Sequence, residues 1–216
     1  TLRAQKNWVH KAVFSTEHGN SGNILKLYGL CEENDLLCIH GYESYFTFDR
    51  RDKEGRNYHI CIISLNRNGM HANNRINSIA NIDGFYRQPR VDMELLLTLP
   101  PDDVVVTTAC INNPIGFPDE DFDTVHDYLL MLKAHFGDHF FLEIQDHNDE
   151  DQIRVNRRIK ELSFMYDIPL IHGCDTHYIY PSDKDKRMNY LIGKGYEYSY
   201  EDGFILDYPD EATIYE

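Results

Sequence analysis

A chain of 216 residues, 42% hydrophobic and 26% charged, has enough apolar material for one core, and α/β barrels of this size are often a single domain. With 21 Lys and Arg against 36 Asp and Glu the net charge is −15, which argues against tight unaided binding to nucleic-acid phosphates but suits a site that holds several divalent cations. Five cysteines, an odd number with no C-x-x-C pair, argue against a disulfide framework or zinc ribbon, and no apolar run reaches membrane-spanning length. The chain therefore reads as soluble and cytoplasmic.

Residues 1–7 open as the end of a helix. Residues 11–16 make a strand by length and β-branched content, and 17–20 turn into a helix over 21–34 with Leu25, Leu27, Tyr28 and Leu30 on its apolar side. The next strand is 36–43. A polar stretch, 49–57, separates it from another at 58–64. Helices follow over 67–80 and 92–99, then a strand over 104–109. The helix over 119–136 places Phe122, Val125, Leu129, Leu130 and Leu132 largely on one side. A strand at 140–145, a helix over 149–166, a strand at 168–172 and a helix over 182–192 complete the pattern. Residues 203–216 read as a short strand and a polar end. Alternating strands and helices without a linker predict one α/β domain, 1–216, with a mostly parallel sheet, open or closed into a barrel.

Ligands of parallel α/β folds gather beyond the carboxyl ends of the strands. There this chain has His18, Glu43, Cys110, the run Gln145-Asp146-His147, and Asp175 with His177. A carboxylate and an imidazole two residues apart, as in Asp175-Thr176-His177, can close on one ion; Asp175 can equally cap the next helix with His177 packed beneath it. His59 begins a strand. A hairpin reversing near Arg51 would bring it opposite Glu43 and to the same rim; a half-buried strand histidine is the other reading. Cys110 is either a thiolate ligand, which favours zinc or another borderline ion, or a small buried side chain. Asp146 and His147 are weaker candidates. His10, His71, His126, His135 and His139 are expected at the surface or in packing, and His40 and His172 in the core. No G-x-S-x-G elbow or glycine-rich phosphate loop occurs.

Thr16-Glu17-His18-Gly19-Asn20, Gly41-Tyr42-Glu43-Ser44-Tyr45, Gly84-Phe85-Tyr86-Arg87-Gln88-Pro89-Arg90-Val91-Asp92, Phe141-Leu142-Glu143-Ile144-Gln145-Asp146-His147 and Asp175-Thr176-His177-Tyr178, in this order, resemble the PHP (polymerase and histidinol phosphatase) domain of bacterial replicative DNA polymerase III alpha subunits. The resemblance implies a distorted (β/α)7 barrel and a cluster of up to three divalent metals, Zn or Mn. Residue by residue it makes His18, Glu43, His59, Cys110, Asp175 and His177 the metal ligands. Arg90, and Arg87 beside it, could meet substrate phosphate, or form surface salt bridges. Two departures accompany this. No H-x-H strand precedes His18, so the barrel is expected to be incomplete at the N-terminus, with an exposed sheet edge. Glu17 stands where the family turn has Asp. The implied activity is metal-dependent phosphoester hydrolysis, in polymerase members a 3′–5′ proofreading exonuclease. The alternatives are an inactive domain that supports the polymerase and a stand-alone small-molecule phosphatase. The implied partners are a DNA 3′ end, a polymerase body following the C-terminus and other replisome subunits; no membrane is implied.

Overall fold

The computed structural model describes residues 10–196 and 203–209. The helix end expected at 1–7 lies outside them, and the tail strand is not formed at 203–209. The strands are β1 (Ala12–Ser15), β2 (Leu37–Phe46), β3 (Tyr58–Ser64), β4 (Arg90–Val91), β5 (Val104–Thr107), β6 (Phe140–Gln145) and β7 (Leu170–Gly173). The helices are α1 (Ile24–Glu33), α2 (Arg67–Ile82), α3 (Met93–Leu96), α4 (Phe122–Phe136), α5 (Glu150–Tyr166) and α6 (Lys184–Gly193). The sheet order is β1-β2-β3-β5-β6-β7, with β4 pairing β2, and the sheet curls into part of a (β/α) barrel. The β2–β3 and β3–β5 pairs are antiparallel and the others parallel.

Strand side chains alternate between faces, and here the two faces divide the labour. Tyr42, Phe46, Ile60, Ile62, Val104, Val106, Phe140 and Leu142 point to one face and are almost wholly buried. Against them pack Ile76 and Ala80 of α2, Val125, Leu129 and Leu132 of α4, and Val155, Ile159 and Leu162 of α5. Glu43, His59, Cys61, Thr107 and Glu143 take the other face.

The helices start where capping chemistry allows. Asn66, Asp121 and Asp149 accept hydrogen bonds from the main chain of Gly69, Thr124 and Gln152. A Cβ on Gly69 would sit 2.0 Å from the Asp103 carbonyl oxygen, so α2 approaches β5 only because residue 69 lacks one. The inward residue of α1 is Cys31, with Leu27 beside it, while Leu25 and Tyr28 face outward, contrary to the expected apolar side. The hairpin register also differs from expectation. Glu43 pairs with Cys61 and Tyr45 with His59, a shift of two residues that preserves the face. No helix among the described residues is long and apolar enough to cross a membrane.

Candidate metal centre

Glu43 is the hub. It lies near the end of β2, is 5% exposed, and holds one imidazole on each carboxylate oxygen. His18 Nε2 is 2.9 Å from Oε2, and His59 Nδ1 is 3.3 Å from Oε1. Local backbone geometry brings His18 in. Gly19 N–H donates to the Glu43 carbonyl at 2.7 Å and Glu43 N–H to that of Glu17 at 3.0 Å, which extends the β1–β2 pairing past β1. Gly19 has φ +67°, and a Cβ there would lie 2.9 Å from both the Tyr45 ring and Pro89. Glycine is therefore required both for the turn and for the space. Glu17 uses its carboxylate on Asn23 Nδ2, 2.5 Å away, rather than on the site.

Cys110 follows β5. Ala109 adopts φ +56°, a left-handed conformation costly for a residue with a side chain, and this bend places the Cys110 Sγ 3.2 Å from His59 Nδ1. The loop is pinned to β3 by His59 N–H donating to the Asn112 carbonyl. On the opposite flank Asp175 is also left-handed, at φ +44°. His177 Nδ1–H donates to the Asp175 carbonyl at 2.7 Å, which puts the ring's lone pair on Nε2. The His18 ring centre is 5.0 Å from that of His59 and 6.3 Å from that of His177.

All six candidate donors thus border one mouth. Its nucleus is His18, Glu43 and His59, whose donor atoms lie within 4.8 Å of one another. Cys110 joins through His59. Asp175 and His177 close the other side.

Electrostatics favours positive charge at this mouth. Burial pushes the Glu43 carboxyl up, but the hydrogen bonds and charges of His18 and His59 outweigh it and hold the group well below the usual carboxylate range. His18 is raised by the same contact against the opposing effect of burial. Asp175 is pushed up to about 7, first by burial and then by Glu43. Burial, Glu43 and Asp175 likewise raise the Cys110 thiol. A buried Asp175 carboxyl raised by burial and by the nearby charge of Glu43 is an arrangement that a divalent cation relieves. Nitrogen, carboxylate and thiol donors together suit zinc or a similar borderline ion, with manganese favoured by the carboxylates.

The floor of the mouth holds residues that spacing did not single out. Glu143 Oε2 accepts from Thr107 Oγ1 at 2.5 Å and Oε1 from Gln145 Nε2 at 2.9 Å. A Cβ on Gly173 would fall 1.8 Å from Glu143 Oε1, so β7 leaves room for this carboxylate by carrying glycine. Cys61, between Glu43 and Thr107, is held as a thiol by burial and by the carboxylates around it. The available signal was a Glu inside the apolar strand 140–145.

Arg90 is not at the rim. It is 1% exposed, and its guanidinium donates to the carbonyls of Gly84, Asp52 and Arg50 at 3.1, 2.6 and 2.6 Å, which fixes the β2–β3 loop. A group spent in this way is neither a phosphate ligand nor a surface salt bridge. Arg87 is exposed beside the Tyr86 ring. Asp146 turns to His172, 2.9 Å away, and that histidine is part-exposed rather than core. His147 points into the protein, toward Gln145 and residue 205. His40 is buried against Ser64 on the helix-covered face, as expected.

A partial (β/α) barrel whose strand ends bring imidazoles and a carboxylate within reach of one ion defines an α/β domain built around a candidate metal centre. Residues 2–147 match the family model described as PHP domain, and the chain belongs to that family. Among its relatives, it is 30% identical over 196 residues to DNA polymerase III subunit alpha of Aquifex aeolicus, covering 85% of this chain and 17% of that one. Against the same subunit of Borreliella burgdorferi the identity is 30% over 185 residues, with coverage of 82% and 16%. Against that of Thermus aquaticus it is 28% over 181 residues, with coverage of 80% and 15%. The chain spans about a sixth of the length of these relatives.

Proposed function

We propose that the chain is the PHP module of a replicative DNA polymerase III alpha-like protein and catalyses metal-dependent phosphoester hydrolysis as a 3′–5′ exonuclease. The observation that carries this reading is the His18–Glu43–His59 cluster, with its donor atoms within 4.8 Å of one another. His18, Glu43, His59, Cys110, Asp175 and His177 would hold the ions. Bound divalent ions supply Lewis-acid polarisation of a phosphoester and lower the pKa of water. The chain's own part is to orient the donors. Glu43 fixes two imidazoles, the Asp175 carbonyl sets the His177 tautomer, and the left-handed residues 109 and 175 aim the flanking ligands. The net charge of −15 fits a substrate approach that depends on bound cations rather than on a basic groove. The polymerase relatives favour a DNA 3′ end over a small-molecule phosphate ester.

The experiment is metal analysis and hydrolysis of a single-stranded DNA 3′ end by the wild-type chain and Asp175→Asn. Zinc or manganese in the wild type, with metal and hydrolysis both lost in the variant, is the expected result. Unchanged metal content in the variant would sink the assignment. A second reading, a domain that only supports the polymerase, has its own observation: the contacts of Glu43 with His18 and His59 tie the turn after β1 to β2 and β3. A metal-free chain whose folding collapses on His18→Ala would favour it.

A further inference from the structure

We infer that His147 is a positioning residue for His177, acting through the main chain of residues 205 and 206. His147 is 5% exposed and is not itself one of the six candidate donors. Its ring is specified on both sides. Ile205 N–H donates to Nδ1 at 3.1 Å, so Nδ1 is the acceptor and Nε2 carries the hydrogen, which faces Gln145 Oε1 at 3.3 Å. Gln145 in turn donates from Nε2 to Glu143, and Glu143 accepts from Thr107. Donation thus runs in one sense from residue 205 through His147 and Gln145 to Glu143 at the floor, where Thr107 donates from the other side. Phe204 packs its ring on His147 at 4.7 Å between centres.

The next residue makes the connection. The buried Leu206 offers its carbonyl to the N–H groups of His177 at 2.8 Å and Tyr178 at 3.2 Å, and Tyr208 N–H reaches the Ile179 carbonyl at 3.3 Å. The turn bearing His177 has no strand of its own. Its main chain is held by this short segment, and the segment is held by His147. Asp175, with its left-handed backbone, lies just before the tethered amides, so a shift of residues 205 and 206 would move the far side of the mouth while leaving Glu43 and His59 in place. Burial lowers the His147 pKa against the opposing effect of Asp146 and Asp149, in keeping with a neutral ring that accepts from Ile205.

The metal role of His177 rests on the proposed function, so the test has a metal-free arm and a metal arm. Amide hydrogen exchange is measured on the metal-free 216-residue chain, and on His147→Phe and His147→Asn. Phe keeps the ring against Phe204 but removes the acceptor; Asn retains an acceptor near Nδ1. Expected is at least a tenfold faster exchange of the His177 and Tyr178 amides in His147→Phe, with β2 and β3 amides unchanged and partial recovery in His147→Asn. Unchanged protection at 177 and 178 would overturn the inference whatever the metal content. Loss of protection throughout the sheet would overturn it too, because His147 would then be a general core residue. In the metal arm, the visible spectrum of the cobalt(II)-loaded chain is expected to change in His147→Phe as it does in His177→Ala, with no further change in the double variant. An additive change would overturn the coupling. Failure of the wild type to take up cobalt would count against the proposed function and leave the exchange result standing.

Discussion

The β2–β3–β5–β6 wall and the flanks of the sheet are built to different standards. In the wall, Ile60, Ile62, Val104, Val106, Phe140 and Leu142 show no measurable exposure and meet three helices. At the flanks, β1 has a small cluster around Val13 and Cys31, with Phe14 and Leu37 58% and 64% exposed, and β7 leaves Leu170 and Ile171 partly bare. Glu43, His59 and Cys110 stand on or beside the wall; His18, Asp175 and His177 stand on the flanks. A bound ion would therefore join a firm half-site to a looser one. The free energy of binding would be spent partly on ordering the second half.

Arg90→Met tests the firm side most severely. Three carbonyls lose a buried partner, and a loss on the order of 4 kcal/mol in chemical denaturation is expected. If the folded fraction keeps its metal content, Arg90 belongs to the scaffold alone. Glu43→Gln strikes the hub. At least a tenfold weaker zinc or manganese affinity is expected by competition titration, with about 2 kcal/mol lost in the metal-free chain as two imidazoles lose a charged acceptor. Metal affinity equal to wild type would dissolve the division into half-sites.

Gly173→Ala forces a methyl against a carboxylate pinned by Thr107 and Gln145, at a cost of about 2 kcal/mol. Glu143→Ala in the same chain should recover most of that, because the clash is with that side chain; a double-mutant cycle on melting temperature checks it. Chelation with EDTA should loosen the flanks selectively, raising amide exchange in β1 and at residues 175–178 while the wall stays protected. Uniform loosening would show that the two regions unfold together. Leu37→Thr, at the exposed start of β2 where it pairs with β1, should change stability by less than about 0.5 kcal/mol.

The sequence made the wall legible because its strands are apolar runs and its helices begin at Asn or Asp caps. The candidate donors at 18, 110, 175 and 177 were legible because each follows a strand, and those at 43 and 59 because alternation along the hairpin puts both on one face. Even the register error at the hairpin was harmless, since a shift of two restores the same face. Less visible was anything decided by depth or by contacts distant in the chain. Arg90 looked like a rim cation because its three carbonyl partners come from residues 50, 52 and 84. Glu143 was hidden in an apolar strand, its space made by a glycine 30 residues later. The outward-facing Leu25 and Tyr28 could not be told from core residues by their periodicity.

Gly19 has a consequence beyond the turn it makes. Its missing side chain is the gap into which Pro89 and the Tyr45 ring fit, so the histidine-bearing turn and the 84–92 segment meet at this glycine. Neither can drift alone: swapping in a different turn would require a matching loop, and a chimaera that exchanges one without the other should misfold at that junction before its chemistry can be assayed.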